Sequence, residues 1–351
     1  MCLYCCVVFS NSAIANNLGF HICQESPVKV FRNLDQNSIL NVEIRADFEK
    51  INGSQNKLDA RSSGIMKIAD SEFRVNIEAR GNSRFKYCGF RPLTLRFQED
   101  LDGTILDGIG KKLKSTTHCG KKGEGKKEEQ WILGGTPQEQ KERLLAEYYT
   151  YLMLQELDTT ILDTRLVDVV YRGKEGKQME RGLGFFREPV KKMAKRCGLK
   201  KAKDNDVLLS NSNSVFAASL MSKFVTSNDF GYGQKDGVWM GHNIFILKSD
   251  DGLVYLAPYD FDLTAIIRPN YFKNKGASLK DHAIDFDSWL NSPATRSQKT
   301  LVLVALKKKL AAMKSIIDNS LLSDTSKARF NEWHRIYGNV IDHAIYSDEP
   351  H

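Results

Sequence analysis

The chain has 351 residues, a net charge of +8 and 41% hydrophobic residues. This globular composition excludes a disordered or collagen-like protein, and the length predicts one large or two ordinary domains. No apolar stretch of about 20 residues follows the amino terminus, which excludes a protein with several membrane-spanning helices.

The amino terminus resembles a secretory leader. A short apolar run precedes Ala13-Ile14-Ala15, a pattern typical of a signal-peptide cleavage site, although the usual positively charged start is missing. We therefore expect residues 1–23 to form a leader, and the mature protein to be secreted or to lie in the periplasm or cell envelope. The alternative is a hydrophobic amino-terminal strand.

The cysteine count agrees with export. Cleavage after Ala15 would leave four of the seven cysteines, an even number that favours disulfide bridges in an exported chain. A bridge between Cys88 and Cys119 would close a loop of about 30 residues and would add roughly 3–4 kcal/mol in the chain-entropy model. The alternative is that all the cysteines are buried thiols.

The first half of the chain predicts mainly strands. Thr136-Pro137 followed by Glu139 is a capping box, so one helix is expected to begin there and to continue to about Leu157. Alternating apolar and polar residues indicate strands at 38–45, 72–79, 92–97, 111–117, 164–171 and 182–188.

The second half predicts more helix. Periodic apolar residues indicate helices at 215–225, 300–317 and 327–346, and a hairpin at 243–257. This order predicts an α+β fold with two lobes. The β-rich amino-terminal lobe would cover residues 24–188 and the helix-rich carboxy-terminal lobe residues 189–351.

The positive charge is concentrated in residues 187–203, which contain eight basic residues and one acid. Charge runs of this kind are usually solvated helix faces, and an anion-binding or acidic-partner patch is the alternative. The remaining chain is nearly neutral, so we do not expect a nucleic-acid-binding protein.

Polar clusters at the ends of apolar strands carry the clearest chemical signal. Asp260 and Asp262 directly follow a predicted strand, Asn243 precedes another, and Asp229 lies shortly before both. Carboxylate and amide oxygens suit Mg²⁺, and a further aspartate could orient a hydroxyl and accept its proton. The same Asp-x-Asp pattern also occurs in turns and helix caps without catalytic function.

Six short motifs follow one another within residues 40–270. They are Arg80-Gly-Asn-Ser83 with the strand after it, the helix around Leu144–Tyr148, Arg181-Gly-Leu-Gly-Phe-Phe-Arg-Glu188, Ser227-Asn-Asp-Phe230, His242-Asn243 and Pro258-Tyr-Asp-Phe-Asp262. In this order they resemble the CotH-like proteins, exported atypical kinases related to spore coat protein H. A bacterial subgroup with similar cysteines, here Cys88 and Thr117-His118-Cys119, supports the same bridge.

The resemblance implies a two-lobed, protein-kinase-like fold that phosphorylates protein substrates outside the cytosol with ATP and Mg²⁺ or Mn²⁺. Asp229 would correspond to the catalytic aspartate. Asn243, Asp260 and Asp262 would correspond to metal ligands.

The resemblance also implies a cation that binds the phosphates and an acidic partner for it. Arg80, Arg96 and Lys114 are candidates for the cation, and Glu147 or Glu188 for its partner.

The chain departs from the family in lacking a glycine-rich nucleotide loop and in placing Phe230 where the family has tryptophan. An inactive pseudokinase that acts as a binding or structural module of the envelope is therefore the alternative. A carbohydrate-active protein that uses the paired aspartates as glycosidase acids is a further one.

Overall fold

The computed structural model describes residues 23–32, 37–120, 136–158, 160–202, 212–225, 231–235, 238–264, 266–267, 278–291 and 299–346. The chain forms two compact units. Residues 25–148 and 163–192 make up the barrel unit, and residues 1–24, 149–162 and 193–351 make up the helical unit.

Seven strands of the barrel unit close into a barrel in the order β1-β2-β3-β4-β5-β7-β6. Neighbouring strands are antiparallel except β1 and β6, whose parallel pairing closes the barrel. The strands are β1 (Leu40–Ala46), β2 (Arg61–Ile68), β3 (Ser71–Ala79), β4 (Leu93–Phe97), β5 (Lys112–Thr116), β6 (Thr164–Arg172) and β7 (Gln178–Arg187).

The alternating sequence of these strands explains the barrel core. In β3 the side chains of Phe73, Val75 and Ile77 are buried inside, while the polar residues between them face out. Each other strand contributes apolar side chains to the same interior cluster. The barrel is therefore a packed core that is lined and filled by apolar side chains.

Three helices accompany the barrel strands: α1 (Phe48–Gly53), α2 (Ser83–Tyr87) and α3 (Pro137–Gln155). The predicted capping box of α3 is confirmed. The Thr136 backbone N–H donates to Glu139 Oε2 at 2.6 Å, and the Glu139 N–H donates to Thr136 Oγ1 at 3.2 Å. The hydrogen bonds that the Thr136 backbone N–H and hydroxyl donate to the Glu139 carboxylate lower the pKa of Glu139. From Tyr149 onward, α3 belongs to the helical unit.

The helical unit contains two small sheets, ordered β12-β11-β8 and β10-β9. Its core includes a cluster in which Phe224 packs against Trp333 and Tyr337, with ring centroids 4.7 and 5.7 Å away. The further helices are α4 (Val190–Arg196), which belongs to this unit from Met193 onward, α5 (Ser212–Phe224), α6 (Leu279–Leu290), α7 (Lys299–Asp318) and α8 (Asp324–Tyr346). The strands are β8 (Lys200–Lys201), β9 (Gly231–Lys235), β10 (Val238–His242), β11 (Ile244–Lys248) and β12 (Val254–Pro258).

The predicted two-lobed, kinase-like α+β fold is wrong. The six strands predicted for the first lobe are present, but together with β2, which was not predicted, they close into a seven-stranded mixed barrel. Alternation reveals where strands lie and which residues face inward. It does not reveal which distant strand pairs with β1, and here that partner is β6, about 125 residues further along.

Two disulfide bridges are present. Cys88 and Cys119 are joined, as predicted, and Cys23 is joined to Cys197, a pairing that the sequence did not predict. Such bridges are typical of proteins outside the reducing cytosol. Residues 1–22 of the predicted leader, residues 1–23, lie outside the described residues, and its last residue, Cys23, is bridged to Cys197.

In the described part of the chain, each helix is too short or too polar to cross a membrane.

His118 packs into a tight aromatic site at the barrel, directly before Cys119. Its ring stacks on Phe90 with centroids 5.6 Å apart, and its Nε2 lies 3.9 Å from Glu180 Oε1. Neither ring nitrogen has a hydrogen-bond partner among the described residues. On the neighbouring strand, Gly182 leaves the space that the ring fills, because a Cβ there would lie 2.5 Å from Nδ1.

We expect Gly182→Ala to lower the free energy of unfolding by about 1–3 kcal/mol, because the added methyl group collides with the His118 ring. The loss should be much smaller in a His118→Ala background, where the ring is absent. Chemical denaturation of the four proteins in this cycle measures the coupling. Gly53→Ala is the control, since a Cβ at Gly53 meets no atom within 4 Å; equal losses in both backgrounds would contradict the collision.

We also expect His118 to make the fold sensitive to acid. Burial lowers the pKa of His118, and the nearby Glu180 carboxylate offsets this in part. The unfolded chain therefore binds more protons than the native one below a pH of about 6.5, so stability falls as the pH falls through this range. Denaturation at pH 7.5 and pH 5 should show a smaller difference in His118→Phe, which keeps the stacking but cannot titrate.

A residual pH dependence should remain in His118→Phe, because burial also lowers the pKa of His282. An unchanged difference between the two pH values would refute the assignment to His118.

Candidate functional site

The hairpin of β11 and β12 brings two of the predicted oxygen ligands together. Asn243 directly precedes β11, and Asp260 follows β12 by two residues. Ile244 pairs with Pro258, and the Tyr259 backbone N–H donates to the Asn243 carbonyl at 2.9 Å. The strand register therefore places Asn243 and the segment from Tyr259 to Asp260 at the same end of the hairpin.

Both residues have a left-handed backbone. The φ angle is 55° at Asn243 and 70° at Asp260. Only Ala69 and Cys119 share a positive φ among the other non-glycine residues that the structure describes. Asparagine and aspartate tolerate this conformation better than other L-residues, and such conformations cluster at functional sites. The two residues lie on either side of one end of the β11–β12 hairpin, and this supports a functional hypothesis for that end. We call the segment from Tyr259 to Asp262, which leaves the hairpin there, the turn.

A buried tyrosine of α3 anchors the turn. The Asp260 backbone N–H donates to the Tyr151 hydroxyl at 3.0 Å. The adjacent Phe261 is fully buried and meets the Tyr151 ring edge to face, with centroids 4.7 Å apart. Phe261 begins a short 3₁₀ helix that ends at Leu263 and contains Asp262. Tyr151 thus contacts both the backbone and the aromatic side chain of the turn.

The donor set suits a hard divalent cation. Asn243, Asp260 and Asp262 are all half-buried, and they supply one amide and two carboxylate groups. Mg²⁺ is usually bound through one or two carboxylates, with water or phosphate oxygens completing its octahedron. Within the described ranges, no group of three or more His, Cys, Asp or Glu side chains is arranged to hold a metal ion. The fit therefore depends on the amide of Asn243 and on oxygens from a ligand.

Asp229, the predicted catalytic residue, lies outside the described residues, as do Ser227 and Phe230 of the same motif.

The predicted phosphate-binding cations belong to the barrel unit. Arg96 forms an ion pair with Glu78 at 2.8 Å on the exposed outer face, and this partner raises the pKa of Arg96. The Arg80 backbone N–H donates to the Pro92 carbonyl. Lys114 is half-buried on β5.

Lys114 lies opposite Thr94 on one side and Arg187 on the other in the strand register. Directly opposite residues point to the same face of a sheet, so Lys114 and the buried Arg187 share the outer face of the barrel. Arg187 was not among the predicted candidates.

The predicted acidic partners are both buried. Glu147 is 1% exposed and accepts a 2.7 Å ion-paired hydrogen bond from Arg84 Nη2. Glu188 accepts from the Ser26 hydroxyl at 3.0 Å and from the Asp163 backbone N–H at 3.3 Å. Arg84 is therefore a cation that pairs with Glu147, and it was not among the predicted candidates. The one available signal was the basic character of the connection from Arg80 to Arg84.

The basic segment 187–203 divides into exposed and buried residues. Lys191, Lys195, Lys200 and Lys201 are exposed, which agrees with the expected solvated face. Arg196, in contrast, is buried and donates from Nη2 to the Ile161 carbonyl at 3.1 Å.

No family model and no curated protein matches this chain.

We expect Arg84→Met to lower the free energy of unfolding by about 3 kcal/mol, because it removes the cation from a buried carboxylate. Part of this loss should be recovered in the double variant Arg84→Met/Glu147→Met, which removes both charges. Arg96→Met is the matched control, since its ion pair is exposed and should be worth less than about 1 kcal/mol. Equal losses for the two arginine variants in urea denaturation would argue against a structural role of the Arg84–Glu147 pair.

Proposed function

We propose that this protein transfers a phosphoryl group from a Mg²⁺- or Mn²⁺-bound nucleotide, ATP, to a hydroxyl group of a protein substrate. The main support is the backbone at one end of the β11–β12 hairpin. Asn243 and Asp260 are both left-handed there, and Asp262 follows Asp260 by two residues. This chemistry requires the side chains of the hairpin end and does not require a two-lobed fold.

The oxygen donors of the turn match what phosphoryl transfer requires of a protein. A divalent cation held there would neutralise the charge that develops on the phosphate oxygens during transfer. The carboxylates of Asp260 and Asp262 would bind that cation, and the Asn243 amide would supply a neutral oxygen. The hydrogen bond between Tyr259 and Asn243 keeps the two sides of this donor set in register.

The nucleophile requires a proton acceptor. We assign this role to Asp229, on the resemblance of Ser227-Asn228-Asp229 to the CotH-like motif. A positioned carboxylate that accepts the hydroxyl proton is the usual device in protein phosphorylation.

We further propose that the reaction takes place outside the cytosol, in the periplasm, in the cell envelope or after secretion. The two disulfides support an oxidising compartment. A substrate in that compartment would be another exported protein or a second copy of this chain.

The test is transfer of radiolabelled γ-phosphate from ATP to casein and to the protein itself, with Mg²⁺ and with Mn²⁺. Asp260→Asn should lower the rate by about 100-fold, because it removes a charge that holds the cation. Asp250→Asn is the matched control. Asp250 lies at the other end of the same hairpin, where it is exposed and pairs with Lys200 at 2.7 Å, so its loss should leave the rate unchanged.

Thermal unfolding of both variants establishes that each is folded. Equal rates in Asp260→Asn and the wild type would refute the assignment of Asp260. Metal-dependent ATP binding without any transfer would instead favour a nucleotide-binding module without catalytic activity.

A further inference from the structure

Tyr151 makes two separate contacts with the turn that carries Asp260. Its hydroxyl accepts the Asp260 backbone N–H at 3.0 Å, and its ring packs against Phe261. Tyr151 and Phe261 are both fully buried. The turn is therefore anchored by Tyr151, a side chain of the helix α3.

Tyr151 contacts the backbone of Asp260, whose left-handed conformation is energetically costly. A left-handed conformation costs an L-residue roughly 1–2 kcal/mol, so surrounding contacts must hold it. The adopted angles at Asp260 are φ 70° and ψ 64°. The hydrogen bond from the Asp260 N–H to the Tyr151 hydroxyl constrains the peptide group that precedes Asp260. The packing of the Phe261 ring against Tyr151 constrains the peptide group that follows Asp260.

We propose that Tyr151 is the positioning residue of the metal-binding turn: its hydroxyl fixes the left-handed backbone of Asp260 and thereby sets the affinity of the turn for a divalent cation. This inference rests on the proposed function, because it assumes that Asp260 and Asp262 hold the cation. Tyr151 acts through the backbone of Asp260 and is not assigned any contact with substrate or cation. Groups that orient metal ligands in this way typically change metal affinity 10–100-fold when they are mutated.

The chain contains a matched control two residues away. Tyr149 lies on the same helix, is also fully buried, and its hydroxyl also accepts a backbone N–H, from Leu321 at 2.9 Å. Tyr149→Phe and Tyr151→Phe therefore each delete a buried hydroxyl that accepts a backbone N–H. They differ in which segment loses its anchor.

The experiment measures Mn²⁺ binding to the full chain by calorimetry, with thermal unfolding of each protein alongside. We expect Tyr151→Phe to raise the dissociation constant about tenfold. Tyr149→Phe should bind Mn²⁺ as the wild type does, although it should lose a similar amount of thermal stability. Tyr151→Phe retains the ring and its contact with Phe261, so it is expected to fold.

A second variant tests the other contact. Phe261→Leu leaves the Tyr151 hydroxyl in place and removes the aromatic packing, so it should also weaken Mn²⁺ binding. This variant keeps the inference testable if Tyr151→Phe proves too unstable for titration.

The outcomes separate the inference from the proposed function. Equal Mn²⁺ affinities in the wild type and in Tyr151→Phe would overturn the positioning role and leave the metal site standing. Equal weakening in the Tyr149 and Tyr151 variants would assign the effect to general stability, which also overturns it. A wild-type protein that binds no Mn²⁺ would overturn the proposed function, and with it the inference.

Discussion

The parallel pairing of β1 with β6 is the constraint on which the barrel depends. It joins residues 40–45 to residues 167–172. Without it both strands would be edges, whose unpaired backbone groups favour association with other chains. Because side chains alternate with a period of two, a shift by one residue would turn Val42 and Ile44 out of the core. Burial of these residues therefore specifies the register as well as the partner.

Apolar side chains fill the interior of the closed barrel. Binding or catalytic groups of this unit would therefore lie on its outer face or in its loops. Two buried carboxylates of the barrel unit have partners: Glu147 meets Arg84, and Glu188 meets Ser26. Leaving such a carboxylate without a partner would cost several kcal/mol, so these groups first stabilise the fold. A role in ligand binding would have to use the same atoms.

The candidate site of the helical unit has a different basis. Its oxygen donors lie on a hairpin end whose backbone is left-handed at two positions, and a buried tyrosine supports one of them. Loops held by regular elements are common places for binding and catalysis, since the scaffold fixes the geometry and the loop supplies the chemistry. Here α3 and the β11–β12 register are that scaffold.

The sequence by itself determined the local features. Alternation placed most barrel strands, the capping box placed the start of α3, and the cysteine count together with the family resemblance indicated the bridge between Cys88 and Cys119. The hairpin pattern was also enough to bring Asn243 near Asp260, because a hairpin joins residues that are close in sequence. These features depend on contacts within short stretches of chain, which a pattern of residue types records.

Only the tertiary structure decided the rest. The closure of β1 on β6, the pairing of Arg84 with Glu147 and the bond from Asp260 to Tyr151 each join residues more than 60 positions apart. Many partners of the same residue type are available at such separations, and local periodicity does not distinguish among them. The choice is made by the packing of the whole fold, which is why a mostly correct set of barrel strands led to the wrong architecture.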